Sequence, residues 1–222
     1  VLMAHLRMGL PMAFQSSVIA IGALIVQVAL NNLGALPVAA YAATQKIDAV
    51  AVMPILSFGY AMAAYTAQNY GAQKYERIRM GVRACLRMSI AFAMGIGALL
   101  IAFGTFFLEL FVGADAAGAE EVIAYGHTYL VVTGSTYTIL ALLLVYRNVL
   151  QGLGQSVIPT IAGVMELIMR AVAAIFLCSS LGFLGACMAY PLAWISAAIP
   201  VTFAYFWTEK TLRQTVQLRK HR

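Results

Sequence analysis

Apolar residues in this chain form long unbroken blocks, not the alternating or three-to-four spaced pattern of a soluble domain. No Asp, Glu, Lys or Arg occurs from Met8 to Gln45, Met88 to Leu108, Val122 to Tyr146 or Ala171 to Thr208. A helix crosses a bilayer core with about 20 predominantly apolar residues, and each block reaches that length. The pattern predicts an all-α integral membrane fold with six spans, at roughly 10–30, 38–65, 88–111, 122–146, 157–178 and 186–207. Pro11 and Pro159 fall where a first helical turn tolerates proline. Pro54, Pro191 and Pro200 lie inside spans, where kinks are expected. Short connections at Asn31–Gly34 and Ser179–Gly182 make the helices they join antiparallel neighbours. The first block is longer than the roughly 7–15 residues of a signal-peptide core, contains Gln15 and Gln27, and leads into another span. It is read as a permanent helix. The start at Val1 suggests a fragment whose beginning is missing.

Basic residues give the orientation. Arg7, the cluster Lys74, Arg77, Arg79, Arg83 and Arg87, Arg147, and the tail residues Lys210, Arg213, Arg219, Lys220 and Arg222 all fall at one set of span ends. The alternate loops hold only Asp115, Glu120 and Glu121. By the positive-inside rule both termini are cytoplasmic, which fits a multi-pass protein of a plasma membrane such as the bacterial inner membrane. The whole of 1–222 then forms a single six-helix unit. Residues 72–87 form a cytoplasmic linker, and 208–222 a basic tail. Within the linker, Tyr75, Ile78, Val82 and Leu86 recur at helical spacing beside an arginine stripe, the pattern of an amphipathic helix lying on the inner membrane surface.

Composition agrees: 63% of residues are hydrophobic and 10% charged, against roughly 25% charged in soluble domains. The net charge of +6 belongs to the loops, and with no nucleic-acid-binding motif beside it a nucleic-acid partner is not expected. Cys85, Cys178 and Cys187 read as packing residues, not as a disulfide frame or a metal site. No H-E-x-x-H, G-x-S-x-G or G-x-x-x-x-G-K-[ST] motif is present, so nothing points to an enzyme or a resident cofactor.

Four ionisable residues sit well inside predicted spans: Lys46 and Asp48 in the second, Glu166 and Arg170 in the fifth. Each costs roughly 2.5–3.5 kcal/mol at mid-helix, so they must be paired or hydrated. Glu166 and Arg170, four residues apart, share a face and can pair. Asp48 and Arg170 fall at similar depth, which predicts an interhelical contact between them. These groups either line a polar cleft that senses cation or substrate, or fix helix packing. In the fourth span Tyr125, Tyr129, Thr133 and Tyr137 form a stripe at four-residue spacing. It suits a cavity wall for cationic aromatic solutes or interhelical hydrogen bonding. Gln15, Gln27 and Gln45 can face the same cavity. His127, alone near an outer end, is taken as interfacial.

The order of motifs resembles the C-terminal six-helix lobe of the multidrug and toxic compound extrusion (MATE) family, within the MOP superfamily. The stretches that carry the resemblance are Gly9-Leu10-Pro11 with Gln15, Asn32-Leu33-Gly34 before Val38–Tyr41, and Gln68-Asn69-Tyr70-Gly71-Ala72. They continue with Tyr146-Arg147-Asn148 into Gln151-Gly152-Leu153-Gly154, and Glu166-Leu167 with Arg170. The resemblance implies two pseudo-symmetric lobes around a cleft of alternating access, with proton or sodium entry exchanged for export of cationic or aromatic drugs. The partners so implied are the lipid bilayer, an N-terminal lobe missing here, and the drugs. Sodium-type members carry acids on the first and fourth helices of this lobe, where this chain has none. The coupling acid is then Asp48, Glu166, or a residue of the missing lobe. Arg147 matches a family motif at the cytoplasmic end of its span, where a structural role in the inner loop is expected. A lipid-linked saccharide flippase of the same superfamily is the close alternative; a membrane-embedded enzyme and a helical scaffold are more distant ones.

Overall fold

A computed structural model describes residues 2–113 and 118–220; Asp115 and Arg222, used above for orientation, lie outside the described residues. The described chain is helical almost throughout. Helix α1 spans Leu2–Asn31, α2 Ala35–Gly71 and α3 Tyr75–Val112. Then come α4, Ala119–Gly134, and α5, Tyr137–Gly152. Helix α6, Val157–Val172, runs through a π-helical turn at Ala173–Leu177 into the short α7, Cys178–Leu181. Helix α8 spans Phe183–Lys220. The turns between them use Gly34 at φ 104° and Gly182 at φ 59°, left-handed positions that glycine takes without strain.

Among the described residues, five helical stretches are long and apolar enough to cross a membrane, and α4 with α5 makes a sixth if the pair counts as one span. The fourth predicted span is therefore not the continuous helix expected. It breaks at Ser135–Thr136, and the two halves meet at 48°. Pro11 is also displaced from its expected place: α1 begins at Leu2, so the proline lies inside the helix.

Residues 75–87 of the amphipathic segment are not a separate helix. They form the first turns of the 38-residue α3. Their apolar stripe faces protein, with Ile78 and Val82 buried and the Tyr65 hydroxyl donating to the Arg77 carbonyl at 3.0 Å. At 1.5 Å per residue, α2, α3 and α8 are roughly 55 Å long, against a hydrocarbon core of roughly 30 Å. The arginines Arg77, Arg79, Arg83 and Arg87 lie in the first turns of α3.

Helix α5 is the axis of the bundle: from Leu140 to Leu150 only Leu142 is not buried. It packs on α2, α8 and α3, while α1 lies against α6 and α6 against α8. Helices α1 and α2 scarcely touch although three residues join them. Among lipid tails no hydrophobic force draws helices together, so close backbone approach and hydrogen bonds must do so. Gly22 and Gly163 supply the approach of α1 to α6: a Cβ on Gly163 would sit 2.8 Å from Gln15 Cγ, and one on Gly22 3.1 Å from Arg170 Cδ. The outer face of α3 exposes Met88, Met94, Leu99, Phe103, Phe106 and Leu110, an apolar surface suited to lipid.

Candidate functional site

Asp48 lies on the face of α2 that carries Tyr41 and Gln45, at helical spacings of four and three. Its Oδ1 accepts the Tyr137 hydroxyl of α5 at 2.6 Å. One turn toward the outer end, Gln45 Nε2 donates to the Tyr129 hydroxyl of α4 at 2.8 Å, and Tyr41 and Tyr190 share a hydroxyl contact of 3.0 Å. Tyr41 meets Tyr129 edge-on at 5.6 Å between centroids. Trp194 of α8 stands 6.3 Å from Tyr137 and 6.2 Å from Tyr190. A half-buried carboxylate thus holds one phenol directly and adjoins a linked group of three more phenols and an indole. Lys46, next in sequence but rotated away, is exposed and lines a separate groove of about 310 Å³ with Ala39, Ala42, Phe111 and Val122.

A second charged cluster lies inside the bundle. Glu166 of α6 receives the Arg147 guanidinium of α5 on Oε1 and the Arg170 guanidinium on Oε2 at 3.1 Å. Arg170 also donates through Nη1 to the Ile19 carbonyl of α1 at 2.9 Å, and its guanidinium lies 4.7 Å above the Tyr190 ring. The predicted Asp48–Arg170 contact is not made. Arg170 faces Glu166, one turn away on its own helix, while Asp48 is held by Tyr137. Arg147 is not the loop residue expected either; it is 7% exposed. Two guanidiniums on one carboxylate leave one positive charge over, and the Nε atoms of both arginines have no hydrogen-bond partner.

The remaining predicted residues divide. Gln15 is buried and accepts from Gln151 Nε2 at 3.1 Å, closing α1 onto α5. Gln27 donates to the Asn31 side chain on its own helix at 3.1 Å. Thr133 is buried and donates to the Tyr129 carbonyl at 2.8 Å. Tyr125 is exposed, against Phe183 at 4.9 Å. His127 Nε2 lies 3.1 Å from the Ile101 carbonyl and ties α4 to α3.

A sequence model of the MatE family matches residues 11–176. The chain belongs to the MatE family. Among curated MATE-like relatives, the probable multidrug resistance protein YoeA of Bacillus subtilis (strain 168) is 22% identical over 218 residues, 96% of this chain and 46% of the relative. The probable multidrug resistance protein YpnP of the same organism is 24% identical over 125 residues, 56% of this chain and 27% of the relative. A solved MATE in complex with MaL6 superposes with a TM-score of 0.86 at 18% identity, covering 96% of this chain and 48% of that one. A MOP superfamily transporter from Pyrococcus furiosus, described as having a binding pocket of reversed polarity, gives 0.82 at 17%, covering 94% and 46%. This MATE chain thus spans about half the length of the relatives it matches. It is a multi-pass membrane protein of a transporter family.

Three participants in the MATE chain's site, Tyr41, Tyr190 and Trp194, are not singled out by the sequence. Tyr190 and Trp194 sit in a charge-free block with nothing to single them out, although their four-residue spacing puts them on one face of α8. Arg147 carried a signal that was misread. The residues on both sides of it, Leu140–Tyr146 and Val149–Leu150, are apolar on every face of the helix, the mark of a segment buried all round.

Proposed function

We propose that this chain is the C-terminal lobe of a cation-coupled antiporter, driven by protons or sodium, that exports cationic or aromatic compounds by alternating access. Asp48 is the group that takes up cation or substrate in this lobe. The observation that carries the reading is the half-buried Asp48 carboxylate among Tyr41, Tyr129, Tyr137, Tyr190 and Trp194. A negative charge attracts an organic cation, and aromatic faces stabilise it as water is stripped away. Glu166 suits the exchange role less well, because guanidiniums hold both of its oxygens. Lys46, exposed on another flank, stands apart from the cage.

Support comes from the relatives named for multidrug resistance and from the solved MATE neighbours. The N-terminal lobe and the bilayer are the partners, and both ends of the lobe face the cytoplasm. A flippase of lipid-linked saccharide is the second reading. What favours it is the surplus positive charge of the Arg147–Glu166–Arg170 cluster, which would attract an anionic headgroup.

Ethidium efflux by the full-length transporter under separate proton and sodium gradients tests the first reading. Asp48→Asn is expected to lower efflux at least about tenfold, a transition-state loss of roughly 1.4 kcal/mol. Normal efflux by that variant would remove Asp48 from the mechanism. Competition by anionic saccharide lipids and not by ethidium would favour the flippase.

A further inference from the structure

The break between α4 and α5 contains no proline, so something else must hold it open. Hydroxyls do. Ser135 Oγ donates to the Val132 carbonyl at 2.9 Å, and Thr136 Oγ1 to the Thr133 carbonyl at 2.8 Å. The Thr136 amide turns to the Thr133 carbonyl at 2.9 Å instead of bonding the Val132 carbonyl four residues back, as in a continuous helix. Behind the break α3 comes so close that a Cβ on Gly97 would stand 2.5 Å from the Gly134 carbonyl oxygen. The chain is pinned at its pivot but not spliced through it.

The first residue beyond this pivot is Tyr137. Its side chain is fully buried, and its hydroxyl donates to Asp48 at 2.6 Å. The first turn of α5 beyond the break is therefore tied by a hydrogen bond to the carboxylate that the proposed function loads. A carboxylate can only accept hydrogen bonds; a protonated carboxyl group must also donate one. When Asp48 gains a proton, the Tyr137 hydroxyl trades a charge-assisted bond to a carboxylate for a weaker one to a neutral carboxyl oxygen, and a cation on those oxygens competes with it directly. Tyr137 keeps its own proton throughout, and the added proton comes from the medium and rests on Asp48. The other titratable or charged groups around Asp48 are Tyr129 from α4, Tyr41 on its own helix, and Tyr190 from α8, with Arg170 of α6 over the Tyr190 ring.

We propose that Tyr137 is a positioning residue that couples the load on Asp48 to the angle at the α4–α5 break, so that cation uptake re-aims α5, the axis of the lobe. The proposal rests on the reading of Asp48 as the exchange group. It adds a specific output for that group: a hinge at the start of the helix that α2, α3 and α8 pack against.

The test uses the full-length transporter in lipid nanodiscs, with Cys85, Cys178 and Cys187 replaced by Ala. Spin labels go at Ala124 on α4 and at Val157, the first residue of α6 just past the far end of α5, both exposed. A control pair goes at Met80 and Phe103, both exposed on α3. Distance distributions are recorded across a pH series and, separately, a sodium series. The Ala124–Val157 distance is expected to shift on acidification or sodium addition, whichever drives efflux, while the α3 pair stays fixed. Asp48→Asn and Tyr137→Phe should each show the shifted distribution in every buffer. Tyr137→Phe should export ethidium about tenfold more slowly, a barrier change of roughly 1.4 kcal/mol. A Tyr137→Phe protein that keeps the ion-dependent shift, or an unloaded wild type indistinguishable from Asp48→Asn, would overturn the coupling. Shifting distances with normal efflux by Asp48→Asn would instead overturn the exchange reading and leave the hinge in place.

Discussion

Arg147, Glu166 and Arg170 show how three charges can sit inside a membrane bundle. None is more than 7% exposed, and each guanidinium has one oxygen of the same carboxylate. Because the carboxylate is shared, the three residues are not interchangeable. Replacing Glu166 with Gln leaves two buried guanidiniums facing each other without a counter-charge. Breaking a buried ion pair in this way costs about 3–5 kcal/mol. Arg147→Met is expected to be milder, since it leaves Glu166 and Arg170 as a one-to-one pair. Thermal aggregation of the full-length protein in detergent should rank the three as wild type, Arg147→Met, then Glu166→Gln from most to least stable. Equal melting of Glu166→Gln and wild type would mean the cluster is wetter than its geometry suggests. The contrast with Asp48 is one of surroundings: that acid has an uncharged phenol for a partner and stays half-buried.

At the scale of elements, the lobe divides into α2–α3–α4 on one side and α1–α6 on the other, joined through α5 and α8. What keeps α1 in place is a short row of polar links: Thr160 toward the Pro11 carbonyl at 3.4 Å, Gln151 to Gln15 at 3.1 Å, and Arg170 to the Ile19 carbonyl at 2.9 Å. The Thr160 and Arg170 links depend on α6 lying close, which Gly163 permits; Gln151 reaches α1 from α5. Gly163→Leu should push α1 off and cost about 1–3 kcal/mol as an overpacked contact, with Gly163→Ala affected less. The yield of monodisperse full-length protein on size exclusion measures this. A Leu variant that purifies and melts like wild type would show that α1 is not held there. These links were hard to read in the sequence. A glutamine or threonine in a span announces that it needs a partner, but its partner's helix is named only once the bundle is built.

For the whole molecule, the emergent ends of α2, α3 and α8 carry Lys74, Arg77, Arg83, Arg87 and Lys210, and the opposite end carries Glu120 and Glu121. With the basic end in the cytoplasm, Glu120→Cys in intact cells should react with an impermeant maleimide. Lys210→Cys should react only after the membrane is opened; the reverse pattern would invert the proposed topology. Membrane character, an approximate span number and charge asymmetry were legible in the sequence, because lipid acts on each helix separately and rewards apolar length wherever it occurs. The sequence also pointed to Asp48, Glu166 and Arg170, since a charge inside a span is conspicuous against its neighbours. Which charge meets which was a different matter. Asp48 went to Tyr137 and not Arg170, Arg147 moved from loop to core, Lys46 turned outward, and the fourth span broke in two. Each of those outcomes depends on tilt, rotation and depth of one helix against another, and those are fixed by contacts between residues far apart in the chain. Insertion into lipid is a property of each segment taken alone; pairing inside the bundle belongs to all of them together.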